Sequence, residues 1–151
     1  ILAEALYEKN GQITDEQLDL TINDLRNRAN MPRLTNAFVA TNGLNMLEEI
    51  RRERTVELAF EGYRRDDLRR WGTAETVLPL AIRGVKFAGT EYQQKFPELV
   101  IGQDIQVDSE GFIIAQPASA RKFQTPKHWL SPIPLQQVQL SKGTLEQNPG
   151  W

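Results

Sequence analysis

Cysteine is absent from this 151-residue chain, and histidine occurs once. The first absence excludes disulfides, thiolate metal sites and cysteine nucleophiles, and it leaves the redox compartment undetermined. The second excludes the Glu-x-x-His pairs from which helical bundles build di-metal centres, so no metal or cofactor is expected. No apolar run approaches the roughly 20 residues that cross a bilayer as a helix. An excess of one charge is missing too. Eighteen basic residues oppose 20 acidic ones, net −2, which offers nucleic acid no general attraction. What is there is ordinary for a globular domain: 40% hydrophobic and 25% charged residues.

The opening "ILAEALYEKNG" reads as helix from its first residue, with no starting Met, cap or signal peptide, and suggests the C-terminal portion of something longer. Gly11 suits a helix stop. Thr14 and Gln17 form a capping box, and Ile13 and Leu18 a hydrophobic staple. From there Leu18, Ile22, Leu25 and Ala29 share one helical face to about Asn30, ahead of Pro32. The two helices predict an antiparallel hairpin. Met31–Gly43 reads as a polar connector, followed by one long helix from about Leu44 to Trp71. Thr73 can cap a short helix after it. Beyond residue 82, glycines, prolines and isolated aromatics replace periodicity. "IQVDSEGFII" predicts a hairpin near 105–114, turning at Asp108-Ser109-Glu110-Gly111. The prolines of "HWLSPIPLQQVQLSKG" forbid helix until about Leu135. "LEQNPGW" offers a closing turn and a final aromatic to pin it. The expected organisation is a helical scaffold over 1–82 and an irregular wrap over 83–151.

The stretch Ile50–Gly72 holds seven arginines and five acids. On a continuous helix with Leu47 at zero, Ile50 and Leu68 fall at about −60° and Leu58 at about +20°. Arg54, Glu61 and Arg65 fall at about −20°, −40° and 0°, inside that apolar stripe. This predicts an internal ion cluster of Arg54, Glu57, Glu61 and Arg65, since unpaired charges there would cost several kcal/mol. A nucleic-acid stripe would need a larger cationic excess. The acids Glu49, Glu53, Glu57 and Glu61 drift around the helix too far to hold one metal. A glycosidase carboxylate pair has candidates in almost any chain.

"ERTVELAFEGYRRDDLRRWG" closely resembles the signature of the SusD/RagB family of surface-exposed nutrient-binding lipoproteins, along Glu53, Arg54, Glu57–Gly62, Arg64, Asp67, Leu68 and Arg70. "TDEQLDLTINDLRNRANM" is similar to the family's preceding helix, and "LSPIPLQQVQLSKGTLEQNPGW" to its closing segment. The resemblance keeps the order of all three and covers nearly the whole chain. It implies a mainly α fold of tetratricopeptide-like helix pairs under an irregular C-terminal part with a small β-hairpin. It implies binding of a glycan, peptide or other nutrient outside the outer membrane, without catalysis, and delivery to a TonB-dependent, SusC-like transporter that the protein caps. Membrane contact in the family runs through a lipidated N-terminal cysteine, which this chain lacks. The charged helix would be scaffold. A tetratricopeptide-like protein-interaction module is the rival reading, and a hydrolase accessory domain a third.

Sugars stack their apolar faces on aromatic rings while polar side chains hold the hydroxyls. Tyr92, His128 and Trp129, with Phe112, lie on irregular segments and are the candidate ligand contacts. The neighbours of His128 lack a nucleophile motif. Asp104, Asp108 and Glu110 lack the ligand number and spacing of a calcium loop, and a hairpin turn accounts for them.

Overall fold

Helix punctuation follows the residues closely in the first third of the computed structural model, which describes residues 1–151. Helix α1 (Leu2–Asn10) stops at Gly11, whose φ of 69° lets its N–H reach the Tyr7 carbonyl at 2.8 Å. Helix α2 (Asp15–Asp19) carries the full capping box: Thr14 Oγ1 accepts from Gln17 N, and Gln17 Oε1 accepts from Thr14 N. The helix expected from there to Asn30 is broken. The Thr21 hydroxyl donates to the Gln17 carbonyl at 2.7 Å, its backbone leaves helical geometry, and α3 (Ile22–Arg28) starts afresh. Inside the expected polar connector lies α4 (Asn36–Thr41), opened by Thr35, whose hydroxyl accepts from Phe38 N.

The long helix expected over Leu44–Trp71 is two helices. One, α5 (Met46–Glu57), is capped by Asn45, whose side chain accepts from Glu48 N. The other is α6 (Arg64–Arg70). Between them Phe60 (φ 67°) and Gly62 (φ 86°) are left-handed, which no continuous helix tolerates. Glycine inside a helix costs about 1 kcal/mol relative to alanine and takes a left-handed turn without penalty, so Gly62 favours the break. Helical spacing therefore ends at Glu57, and Glu61 and Arg65 do not continue the stripe of Ile50 and Arg54.

The chain forms two compact units, Ile1–Arg64 and Arg65–Trp151. In the first, Ala3, Ile13, Leu18, Ile22, Leu34, Val39, Met46 and Ile50 make the core, with Leu6 and Tyr7 against it. The main partner of α1 is α5, not the helix that follows it, so consecutive helices do not establish tetratricopeptide-like pairing. Polar side chains tie the 31–36 segment down. Buried Asn23 donates to the Leu34 carbonyl at 3.0 Å and accepts from Leu34 N at 2.7 Å. Asn36 donates to the Ile13 carbonyl and to Asp15, and Arg33 pairs with Asp19.

The second unit holds α6, α7 (Ala74–Val77), α8 (Glu91–Lys95) and α9 (Leu135–Leu140), with Leu68, Ala74 and Phe87 buried. Thr73 occupies the N-cap of α7 without a capping hydrogen bond; its hydroxyl donates back to the Leu68 carbonyl at 3.4 Å. Strand β1 (Ile82–Lys86) pairs antiparallel with β2 (Phe112–Gln116) in an irregular register. The expected turn before β2 is present: Asp108 Oδ1 accepts from the N–H groups of Glu110 and Phe112, and Val107 bridges Ile113. Most of the pairing of β2, however, goes to β1, more than twenty residues upstream in sequence. Gly111 (φ 88°) is required, because a Cβ there would lie 3.0 Å from the Ala88 carbonyl oxygen. The fold is mainly helical with one small two-stranded sheet, as expected.

Asn23→Ala strands two buried backbone groups of Leu34 and should cost about 2–4 kcal/mol in chemical denaturation. A loss under about 1 kcal/mol would show that these groups find other partners. The Asp19 carboxyl is held below its ordinary value, first by Arg33 and then by the Asn23 amide. Its contribution is complete above the unfolded carboxylate range near pH 4 and disappears as pH falls through the lower folded value. The stability gap between wild type and Asp19→Asn should therefore close on acidification from pH 5 to 2 in thermal melts. A gap constant with pH would contradict this.

Candidate functional site

Short-range chemistry builds an aromatic cluster in the second unit. Gln124 and His128 bond reciprocally across a tight loop: His128 N donates to the Gln124 carbonyl at 2.8 Å, and Gln124 N donates to His128 Nδ1 at 3.0 Å. That fixes the imidazole ring and leaves Nε2 as the protonated nitrogen of the neutral form. Phe123 then meets His128 edge-on at 5.6 Å and Trp129 at 4.9 Å between ring centroids. Trp151 completes the group 6.2 Å from His128.

The closing segment holds this loop from outside. Trp151 Nε1 donates to the carbonyls of Lys127 (2.8 Å) and Leu130 (3.1 Å). Asn148 Nδ2 donates to Ser131 O at 2.6 Å, and Gln147 bonds both N and O of Ile133, each at 2.8 Å. Gly150 (φ 84°) lies so close that a Cβ would sit 3.0 Å from that of Lys127. The Lys127 ammonium stands 4.3 Å from the centre of the Trp151 ring, a cation–π contact. Phe123, His128 and Trp129 are half-buried, and Trp151 is 45% exposed. The cluster thus joins flat apolar faces, a fixed imidazole donor and an ammonium.

His128 and Trp129 are brought together; Tyr92 is not among them. It lies on α8, exposed, with Lys95 over its ring. Phe112 lies on β2 under Arg83 and Lys86. Arg83 is bound by Glu110 and Asp108, which strengthen its hold on its proton in that order. Burial pushes Asp108 up, but the Phe112 N–H, Arg83 and the Glu110 N–H together bring its carboxyl below the ordinary range. These groups are occupied in stabilising the turn. Phe123 and Trp151 were not among the candidate contacts, although the final aromatic was expected to pin the closing turn, which it does.

The proposed ion cluster is distributed differently. Glu57 pairs with Arg28 of α3 on a largely exposed surface. Arg54 lies 5.7 Å from the Tyr63 ring centre. Glu61 is exposed in the turn after α5, and Arg65 is exposed in the second unit. A well-buried pair of this region is Arg26 with Glu53, at 2.8 Å and with side chains 10% and 16% exposed. Residues 27 positions apart in sequence leave no local spacing signal for it.

Compared with known families, residues 1–151 match the SusD family. The chain belongs to this family. Family membership implies binding of glycans or other nutrients at the cell surface, and its members are binding proteins. Comparison with curated proteins and with solved structures gave no match. Within this SusD-family chain, no helix is long and apolar enough to cross a membrane.

Glu53→Ala strands the buried Arg26 guanidinium and should cost about 2–4 kcal/mol in urea titrations, somewhat less than a fully buried pair. Glu61→Ala removes an exposed side chain and should stay within about 0.5 kcal/mol of wild type. Equal effects from the two would overturn this assignment of the framework pair.

Proposed function

We propose that this chain binds a glycan or other nutrient outside the outer membrane, at the cluster of Phe123, His128, Trp129 and Trp151, and hands it to a TonB-dependent, SusC-like transporter. The observation that carries the reading is the family match over residues 1–151, taken with one partly exposed group of aromatic rings that has polar donors at its edge. Such a group suits pyranose rings, whose axial C–H faces stack on indole while their hydroxyls take hydrogen bonds. Its stiffness also suits binding: a platform already fastened by Gln147, Asn148 and Trp151 loses little freedom when a ligand arrives. The full-length protein is surface-exposed and lipid-anchored in this reading. His128 serves as a ligand contact, not as a base, because its Nδ1 is already occupied by the Gln124 N–H.

Affinity electrophoresis against a panel of soluble glycans tests the site. At least one glycan should retard the protein. Trp129→Ala and His128→Ala should each weaken that retardation by about tenfold, with circular dichroism unchanged, while Tyr92→Ala should leave it intact. Retardation by no glycan, or an equal loss on Tyr92→Ala, would refute the assignment of the cluster.

A further inference from the structure

The near-neutral total conceals a segregated charge. From Gly111 to Leu145 there is no aspartate or glutamate, while Arg121, Lys122, Lys127 and Lys142 all fall in this stretch. The aromatic loop 123–130 sits inside it. Elsewhere several basic side chains are neutralised locally: Arg26 by Glu53, Arg28 by Glu57, Arg33 by Asp19, Arg52 by Glu49, Arg83 by Asp108 and Glu110, Lys95 by Glu91. Around the cluster they are not. Lys127 has an aromatic ring as its partner. Arg121 gives its hydrogens to neutral oxygens, the Leu78 carbonyl at 2.9 Å and Gln116 Oε1 at 3.0 Å. Lys122, next to Phe123 in the chain, is exposed.

An ammonium held over an indole has lost part of its hydration but has met no opposite charge, so an arriving anion finds it at little desolvation cost. At its centre the cluster presents donors to a polar ligand: the ammonium of Lys127, and Nε2–H of His128 because Nδ1 is taken. A ligand rich in acceptors and carrying negative charge is the complement of such a surface. Resting on the reading that the cluster binds glycans, we infer that its ligand is an acidic saccharide. The sugar ring lies on the aromatic faces, and its carboxylate or sulfate meets Lys127 in the field of the neighbouring cations.

Isothermal titration of the intact chain with polygalacturonate, dextran sulfate, dextran and starch tests this. A carboxylated or sulfated polymer should bind at least tenfold more tightly than either neutral one, and the arm that binds identifies the acid group. Raising salt from 50 to 500 mM should weaken the acidic complex several-fold, as for contacts screened over a Debye length. Lys127→Gln should weaken it about three- to tenfold, and Lys142→Gln, in the same acid-free stretch, should not. Neutral polymers binding as tightly as acidic ones, with Lys127→Gln silent, would overturn the acidic class while leaving the glycan reading in place. Equal losses on Lys127→Gln and Lys142→Gln would mark diffuse attraction and overturn the site. Binding of none of the four, with the fold intact, would overturn the inference together with the reading beneath it.

Discussion

Irregular backbone must still satisfy its donors and acceptors, and the connections of this chain are organised around that demand. Helices and ladders satisfy themselves; the 31–36 segment and the 123–134 loop cannot. Side chains supply what the ladder does not. Asn23 treats Leu34 as a neighbouring strand would, giving one bond and taking one. Gln147 does the same for Ile133. Asn148 and Trp151 answer the carbonyls of Ser131, Lys127 and Leu130, and Asp108 gathers two N–H groups of its own turn. In each unit a segment without periodicity acquires a single conformation through a few amide, indole or carboxylate groups.

The same economy separates two uses of positive charge. In the first unit, arginine is framework: Arg26 reaches from α3 to Glu53 of α5, and its planar fork also donates to the Pro32 carbonyl. In the 111–145 stretch, cations are set against rings and neutral oxygens. The first arrangement rigidifies and leaves little field outside. The second leaves its field directed at whatever approaches.

Much of the helical start was legible because caps are local. Gly11, Thr14 with Gln17, and the onset of α9 behind Pro134 need only three or four residues to specify them. Thr35 was an equally local signal for α4, hidden by the polar look of its surroundings. The break between α5 and α6 was harder. Phe60 has no intrinsic preference for a left-handed backbone, and Gly62 alone reads as a tolerated helical glycine. Partnerships between distant residues were not legible at all: β2 with β1, Arg26 with Glu53, Trp151 with Lys127. For the site, sequence reasoning isolated His128 and Trp129 as aromatics without helical work. It could not group them with Phe123 and Trp151, because only the closing segment's return places all four together.

Dependence on amides ties the loop to the chemical state of two side chains. Asn148 and Gln147 contribute through N–H donors that face carbonyl oxygens. Hydrolysis of either amide to its acid, a change of one mass unit with almost no change of shape, would set lone pairs against lone pairs where a bond had been. The loop that carries Trp129 would then loosen while every helix stayed intact, and the proline after Asn148, whose nitrogen carries no hydrogen to close a succinimide, guards that position against the change.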